Sequence, residues 1–386
     1  MNKITSAALF FLAAGILTSV SILSVYQILF AVPLIYYTFL SVKNKEIQLP
    51  KSAYWLLAFT VIALISLVLN FELIPKPSKN FGRLKYFFFG IGGIFVMRAW
   101  LQDASDKTKK ILTQVFLSSI IIAALATLIS FFRGDARAKG LTDTMRYGYG
   151  SGMLLLTVLS AILHKEKIKN WFPSKLAIVS FIIGFAGLYI TYTRGALLAF
   201  LCGLPFVLYY YKKRYGIYAV SLVGLIVLTL GGFYIFGNVQ KGQGSRFLMS
   251  KSNNSDVVRR SQWKAAAIAI QERPVLGWGL SNFHSQLKRI KIDYDLEAKD
   301  YNDAHAHNLF LEIGAGTGLV GLFLFLGWLI SWAYECFKKN DLTTYLVVPF
   351  GVALVIASQF EVTFDANNAS MIFFLYSISS QRKVHV

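Results

Sequence analysis

The first residue whose position could support chemistry is an arginine that stands between two apolar runs. Arg194 lies in the short segment 191–195 (TYTRG). A guanidinium group in that position needs an anion, a carbonyl group or headgroup water as its partner. It is either a residue that snorkels to the edge of an apolar layer or a planar fork that holds a phosphate through two parallel hydrogen bonds.

A second candidate is the arginine pair Arg259 and Arg260, which is followed by Trp263 and by residues 273–279 (RPVLGWG). On its own, such a pair is typical of a solvated basic face on a loop helix. The alternative is a second phosphate contact, because a pyrophosphate carries enough charge to engage arginines from two different segments.

A third candidate is the histidine pair His305 and His307, which lies in residues 305–308 (HAHN) before a long apolar run. An HxH pair could bind a metal ion, but the sequence offers no further ligands at a convincing spacing, so we expect no metal. A histidine at the edge of a membrane is either structural or a general base and hydrogen-bond partner for a sugar hydroxyl.

The apolar run after the histidines contains Glu312 and several glycines. The GxxxG spacing of Gly314 and Gly318 favours close packing of helices. Glu312 lies one to two helical turns beyond His307, where it either orients that histidine or has a polar packing role.

The composition indicates that a membrane protein positions these residues. Of the 386 residues, 55% are apolar and 15% are charged, against about 25% charged in an average soluble domain. The net charge of +20 is typical of cytoplasmic loops that follow the positive-inside rule, and we expect no nucleic-acid partner. Neither Cys202 nor Cys336 is part of a CxxC pair, so a disulfide or metal role is not expected.

Twelve apolar runs predict about twelve transmembrane helices in an all-α integral membrane protein, since roughly 20 residues cross the hydrocarbon core. Basic residues occupy every second junction, so both termini are expected in the cytoplasm. The predicted spans are 5–23, 25–42, 53–70, 85–101, 111–132, 147–164, 175–192, 195–211, 216–237, 308–336, 342–360 and 366–380. The basic junction residues are Lys43, Lys45, Lys51, Lys107, Lys109, Lys110, Lys165, Lys167, Lys169, Lys212, Lys213, Arg214, Lys338, Lys339, Arg382 and Lys383.

One polar segment, residues 238–306, is long enough to form a large loop on the outer side between spans nine and ten. Within it, residues 256–272 have helical spacing, with Val257, Trp263, Ala267 and Ile270 as the expected apolar face. Pro274 is expected to end that helix. No second soluble domain is indicated, so residues 1–386 are predicted to form a single polytopic membrane domain.

A second outer loop, residues 133–146, is also basic. Its four cations could guide an anionic donor substrate towards the membrane surface. They are Arg133, Arg137, Lys139 and Arg146.

These motifs, in this order, resemble those of the O-antigen ligase family (WaaL), part of the O-antigen ligase and polymerase superfamily. The most specific signature is a His-Asn pair, nine residues and then GxxG, which here is His307-Asn308 followed by residues 318–321 (GLVG). Residues 259–283 also resemble the family's RxxxW…PxxGxG…F run. Residue 322 is leucine, where ligases often have threonine or serine, which weakens the match to a ligase relative to a polymerase.

The resemblance implies a GT-C type membrane fold and metal-independent, inverting transfer of a glycan from undecaprenyl pyrophosphate to the lipid A core of lipopolysaccharide. It also implies a bacterial inner membrane location, with membrane lipids around the chain and the active site facing the periplasm. Carried over residue by residue, it identifies Arg194, Arg259 and His307 as catalytic. Arg260 is the alternative essential arginine, and Asn308 is expected to contact substrate beside the basic-loop residues.

Two other functions fit the same sequence. A polymerase of the superfamily would use the same donor and join one lipid-linked glycan to another. A flippase for lipids or polysaccharides would not be an enzyme, and the scarcity of acidic residues within the spans does not exclude it.

Overall fold

The computed structural model describes residues 1–45, 47–135, 138–211, 254–296, 305–339, 341–364 and 366–381. Within those ranges the regular secondary structure is entirely helical. The α-helices are α1 Asn2–Gly15, α2 Val20–Lys43, α3 Lys51–Leu69, α4 Pro77–Asp103, α5 Asp106–Phe132, α6 Thr144–Leu163, α7 Ser174–Ile190, α8 Arg194–Tyr211, α9 Asn254–Glu272, α10 Phe283–Asp293, α11 Leu309–Lys339, α12 Leu342–Ala357 and α13 Ala366–Ser379.

Six of these helices are long and apolar enough to cross a membrane, namely α2, α3, α4, α5, α8 and α11. Helices α7 and α12 are also apolar but shorter. The prediction of a multi-pass, all-helical protein is therefore confirmed, whereas twelve spans and a GT-C architecture remain predictions. The predicted ninth span, residues 216–237, lies outside the described residues.

The boundary between the first two helices differs from the prediction of a single span over residues 5–23. Helix α1 ends at Gly15, and α2 begins at Val20 after Ser19, whose side chain accepts a hydrogen bond from the Ile22 amide at 3.4 Å. An N-cap serine of this kind starts a new helix. The apolar residues run on through the turn, so hydropathy alone does not reveal it.

The helix ends divide into two groups, as expected for a chain that crosses a layer repeatedly. At one end, the Phe131 ring of α5 lies 6.4 Å from the Tyr192 ring in the turn before α8. At the other end, Asn2 of α1 donates a hydrogen bond to Asp103 of α4 at 2.6 Å. The predicted site residues belong to the first group, which we call the outer end.

Helix α11 is broken at Gly318, where the backbone leaves the helical conformation with φ +71° and ψ −175°. The loop 274–279 fills the break with main-chain hydrogen bonds. The amide of Leu319 donates to the Pro274 carbonyl at 2.7 Å, and the amide of Trp278 donates to the Ala315 carbonyl at 2.9 Å. Backbone groups that the helix leaves unpaired are thereby satisfied inside the protein.

The glycines of α11 therefore serve a different purpose from the expected GxxxG helix pairing. A Cβ atom on Gly318 would collide with the Val275 carbonyl group, and one on Gly316 would lie 3.0 Å from the Gly279 carbonyl oxygen. These residues admit the backbone of a loop. Gly314 and Gly327, by contrast, face other helices, through Ile270 of α9 and Trp55 of α3.

Helices α3 and α4 hold the same loop from the other side. Ser66 donates to the Leu276 carbonyl at 2.6 Å, Asn70 donates to the Gly277 carbonyl at 3.2 Å, and Asn80 donates to the Leu280 carbonyl at 2.9 Å. The loop is thus fixed between three membrane helices, and α9 and α10, which it joins, are fixed with it.

Helix α9 confirms the predicted helix and its end near Pro274, but its buried face differs from the expected one. Ala267 is exposed, whereas Ala265, Ala266 and Ala269 are fully buried. They pack in one cluster with Ala306 and Ala315. Small residues on both sides let α9 approach the loop before α11 closely, so alanines fill the contact in place of the larger side chains.

We expect Gly318→Ala to destabilise the protein by about 1–3 kcal/mol, because this φ/ψ region is nearly exclusive to glycine and the added methyl group would meet the Val275 carbonyl group. The melting temperature of the purified protein in detergent measures the effect. Gly351→Ala in α12 is the control, since nothing lies near its added Cβ. An unchanged melting temperature for Gly318→Ala would contradict the role given to the break.

Candidate active site

The centre of the site is a carboxylate that two histidines share. Glu361 lies in the turn between α12 and α13, and its Oε1 is 2.6 Å from His305 Nε2. Its Oε2 is 3.0 Å from His307 Nδ1. The two imidazole rings lie 4.3 Å apart. The side chain of Glu361 is 10% exposed and that of His307 is 20% exposed, so the group is largely shielded and still reachable from solvent.

The charge on Glu361 determines which histidine nitrogens carry protons. Burial raises the pKa of this carboxyl group, but the hydrogen bond and charge of His307, together with the charge of His305 and the Val362 amide, more than offset it and hold the pKa below its usual value. An ionised carboxylate only accepts hydrogen bonds. His307 must therefore donate through Nδ1, so Nε2 is the ring nitrogen that remains for a second partner.

The backbone around His307 is fixed by its neighbours. His307 has φ +47°, a left-handed conformation that is uncommon outside glycine. Glu312, expected either to orient His307 or to pack, accepts a hydrogen bond from the Ala306 amide at 3.0 Å. It thus holds the turn that carries both histidines. The Leu309 amide next to that turn donates to the Ser358 carbonyl at 2.8 Å.

Asn308, predicted to contact substrate, has protein partners for both ends of its amide. Its Oδ1 accepts from the Leu311 amide at 3.0 Å, which caps the first turn of α11. Its Nδ2 donates to the Gln359 carbonyl at 3.3 Å. Asn308 therefore links the histidine turn to the segment that carries Glu361, and its contact with substrate stays a prediction.

Arg194 is the first residue of α8 and is exposed at the outer end. Gly195 beside it leaves no room for a side chain, since an added Cβ would collide with the Tyr149 hydroxyl and lie 3.0 Å from Phe360 Cβ. Phe360 precedes Glu361 in the chain. The close contact at Gly195 thus brings the start of α8 next to the segment that carries the shared carboxylate.

Arg259 and Arg260 differ in their surroundings, which separates the two alternatives. Arg259 is half-buried, whereas Arg260 is exposed. Both Arg259 and Glu361 are close enough to the buried Tyr149 for their charges to act on its hydroxyl. Tyr149 therefore lies among Arg259, the Glu361 carboxylate and the start of α8, and the arrangement favours Arg259 over Arg260.

The residues of the basic loop 133–146 lie at the same outer end, but no contact connects them to the shared carboxylate or its histidines within the described residues. Arg133 and Lys139 are exposed. Arg146 forms an ion pair with Asp143 at 2.9 Å, which offsets its charge. Arg137 lies outside the described residues. Their guidance of an anionic donor stays a prediction.

The site contains three groups that could together hold a metal ion. Nitrogen atoms of His305 and His307 and a carboxylate oxygen of Glu361 all lie within 4.8 Å of one another. The sequence offered no third ligand near the HxH pair because Glu361 follows more than fifty residues later. Two histidines and a carboxylate match the ligands of catalytic zinc sites, so metal independence remains a prediction that needs its own test.

Sequence reasoning missed Glu361, His305 as a partner of the carboxylate, and Tyr149. A signal for Glu361 was present, since it lies in the short turn between the last two predicted spans, on the same outer side as His307. A charged residue in such a turn is a candidate for function. Tyr149 has no comparable signal, because a tyrosine in an apolar run usually serves packing.

The helices and this site define a multi-pass membrane protein with a cluster of two histidines and a carboxylate at one end of its bundle. A family model described as O-antigen ligase matches residues 179–326, a stretch that contains Arg194, Arg259 and His307. The chain is therefore similar to the O-antigen ligase family over this stretch. The match confirms the resemblance drawn from the motifs and supports a relation to the ligase and polymerase superfamily. No curated protein matches the chain.

We expect Glu361 to contribute stability that disappears in acid. Its folded pKa is lowered, so the contribution is fully present above the unfolded value of about 4.3 and is lost as the pH falls through the folded pKa. Melting temperatures of the wild type and Glu361→Gln should differ most near neutral pH and converge below about pH 4. A constant difference across that range would show that the carboxylate charge does not stabilise the histidine turn.

Proposed function

We propose that the protein is an O-antigen ligase, which transfers a glycan from undecaprenyl pyrophosphate to a sugar hydroxyl of the lipid A core. The observation that carries the proposal is the shared carboxylate, which orients His307 at the same end of the bundle as the two arginines that the family motif identifies. The proposed location is the bacterial inner membrane, with both termini in the cytoplasm and the outer end facing the periplasm. A GT-C type fold, with residues 238–306 as a periplasmic loop in one membrane domain, is part of the same proposal.

The arginines are suited to the leaving group. As the bond between the anomeric carbon and pyrophosphate breaks, its electron pair and the negative charge pass to the phosphate oxygen. Arg194 at the surface and Arg259 from the outer helix α9 approach from different segments, as a two-phosphate group requires. Preorganised donors for a developing charge are commonly worth roughly 2.7–4 kcal/mol each.

The histidine is suited to the attacking group. The acceptor hydroxyl oxygen bonds to the anomeric carbon from the face opposite the pyrophosphate, which inverts that centre, and its proton passes to His307 Nε2. The imidazolium that forms is stabilised by Glu361 through the hydrogen bond at Nδ1. A base positioned in this way contributes about 10²–10⁴-fold to the rate.

A polymerase of the same superfamily is the second candidate. The observation that favours it is Leu322, which packs against the membrane core and lies near Gly314 at a position where ligases often have threonine or serine. Donor, site and base would be the same, and the acceptor would be a second lipid-linked glycan.

Expression in a Gram-negative host that lacks its own ligase but makes and polymerises O-antigen tests the proposal. The core structure that the protein normally uses is supplied as well. We expect a lipopolysaccharide ladder on the lipid A core with the wild type. His307→Ala should lower ladder formation by about 10²–10⁴-fold. Longer lipid-linked chains in a polymerase-deficient strain, without a ladder, would assign the polymerase reaction. No change in either strain would contradict both enzymatic functions.

The two arginines of α9 offer a matched comparison, because they are adjacent and carry the same charge. Arg259→Ala should lower the transfer rate by about 10²–10³-fold, as does loss of one charge-stabilising donor. Arg260→Ala should have a much smaller effect, since that side chain is exposed. Rates measured with purified proteins and a lipid-linked donor decide between them. Equal losses would show that both arginines bind the donor.

Metal dependence is tested by removing divalent ions. We expect transfer by the purified protein to continue unchanged in EDTA, because pyrophosphate is already a good leaving group. Atomic emission spectroscopy of the same sample should find no tightly bound transition metal. Loss of activity in EDTA that returns on adding Zn²⁺ would instead identify the His305, His307 and Glu361 cluster as a catalytic metal centre.

A further inference from the structure

Three cationic residues lie together at the outer end on an element that carries none of the predicted catalytic arginines. Lys76, Lys79 and Arg83 follow one another at three- and four-residue spacing at the start of α4, so they share one side of that helix. The charges of all three act on His284 in α10. We call Lys76, Lys79 and Arg83 the α4 basic cluster.

No carboxylate in the described part of the chain forms an ion pair with this cluster, although Glu312 is near enough to Arg83 for their charges to interact. Other cations do have such partners, as Arg289 does with Asp293 at 3.2 Å. The hydrogen bond from Arg83 to the Phe364 carbonyl, at 3.3 Å, uses one of the five donors of its guanidinium group.

The environment of His284 reports the same excess of positive charge. Burial lowers the pKa of its imidazole, and the charges of Lys79, Arg83 and Lys76 lower it further, while a hydrogen bond with the Ser281 carbonyl acts in the opposite direction. Several cations without an acid in ion-pair contact form a site that favours an anion with more than one charge, such as a phosphate.

Arg83 also connects the cluster to the candidate active site. It lines a narrow cavity with Ser281, Glu312 and Val362. Glu312 holds the Ala306 amide between the two histidines, and Val362 follows Glu361. The cavity has a volume of about 20 Å³.

The size and charges of the cavity restrict what enters it. It suits a compact polar group, not a whole sugar ring. Glu312 disfavours an anion deep inside, although its carboxylate can accept a hydrogen bond from a hydroxyl group. A phosphate is therefore expected at the outer rim, beside the lysines, with sugar hydroxyl groups directed inwards to the histidine turn.

We propose that the α4 basic cluster binds phosphate groups of the acceptor glycolipid and so presents its sugar hydroxyl to His307. This inference rests on the proposed function, to which it adds an acceptor site separate from the donor arginines. Recognition of the acceptor is then largely electrostatic and should depend on its phosphates.

The test uses the full chain in nanodiscs of phosphatidylcholine, with two probes: lipid A core glycolipid and the same glycolipid after phosphatase treatment. We expect the wild type to bind the phosphorylated probe at least about tenfold more tightly, which corresponds to about 1.4 kcal/mol. The Lys79→Gln/Arg83→Gln variant should bind both probes alike. Lys85→Gln is the matched control, because Lys85 is an exposed cation on the same helix that does not line the cavity.

Three results would overturn the inference: equal binding of both probes by the wild type, a preference that survives in the double variant, or a preference that phosphatidylglycerol in the nanodisc abolishes. The last would assign the cluster to phospholipid headgroups. If Arg83→Gln prevents folding, Lys76→Gln/Lys79→Gln replaces two exposed side chains only and keeps the test decisive.

Transfer kinetics separate this inference from the proposed function. The double variant should show a higher KM for the acceptor, with the KM for the donor and kcat nearly unchanged. A higher donor KM would mean that the cluster binds the donor. Absence of transfer by the wild type with any acceptor would refute the proposed function, whereas the binding preference for phosphate would still be measurable.

Discussion

The main-chain hydrogen bonds between the loop 274–279 and the break in α11 connect the two parts of the protein that the site needs. Helix α11 begins beside His307, and the loop continues from the helix that carries Arg259. Because Gly318 interrupts α11, its free backbone groups pair with those of the loop, and Ser66 and Asn70 of α3 hold the loop from outside. The outer helices are thereby held on the membrane helices by groups that have no alternative partner in an apolar layer.

The same contact explains why glycines occur in both motifs. Gly277 has φ +64°, and an added Cβ would lie 2.5 Å from the Gly316 carbonyl carbon. The glycines of the loop and those of α11 that contact it therefore have the same role, which is to let the two backbones approach each other closely. In the sequence the two motifs are separate patterns. In the structure the residues of one motif pack against those of the other and form a single interface.

The sequence was sufficient for the class of protein, whereas the roles of the residues that its motifs mark remain predictions. Hydropathy predicted helices that cross a membrane, and spacing predicted helix α9 and the turn after it. Sequence-based prediction failed where two residues that contact each other in the site are distant in the chain. Glu361 meets His305 and His307 only because the turns at the outer end converge. The α1–α2 turn was not predicted because its residues are as apolar as the helices they join. The buried face of α9 was predicted incorrectly because alanines, not larger side chains, fill its close contact.

The distribution of charge in the site follows from its place at the helix ends. A carboxylate deep in the hydrocarbon core would be costly, whereas one in fully exposed water would interact weakly with its partners. Glu361, 10% exposed, lies between these limits, where its interaction with an imidazolium is strong and its ionised form is still supported by two histidines. Arg194, by contrast, is exposed, which suits the contact with a charged pyrophosphate that we propose for it. In the proposed reaction, proton transfer therefore takes place in the shielded part of the site, while the charge of the leaving group stays towards solvent, where its release needs the least desolvation.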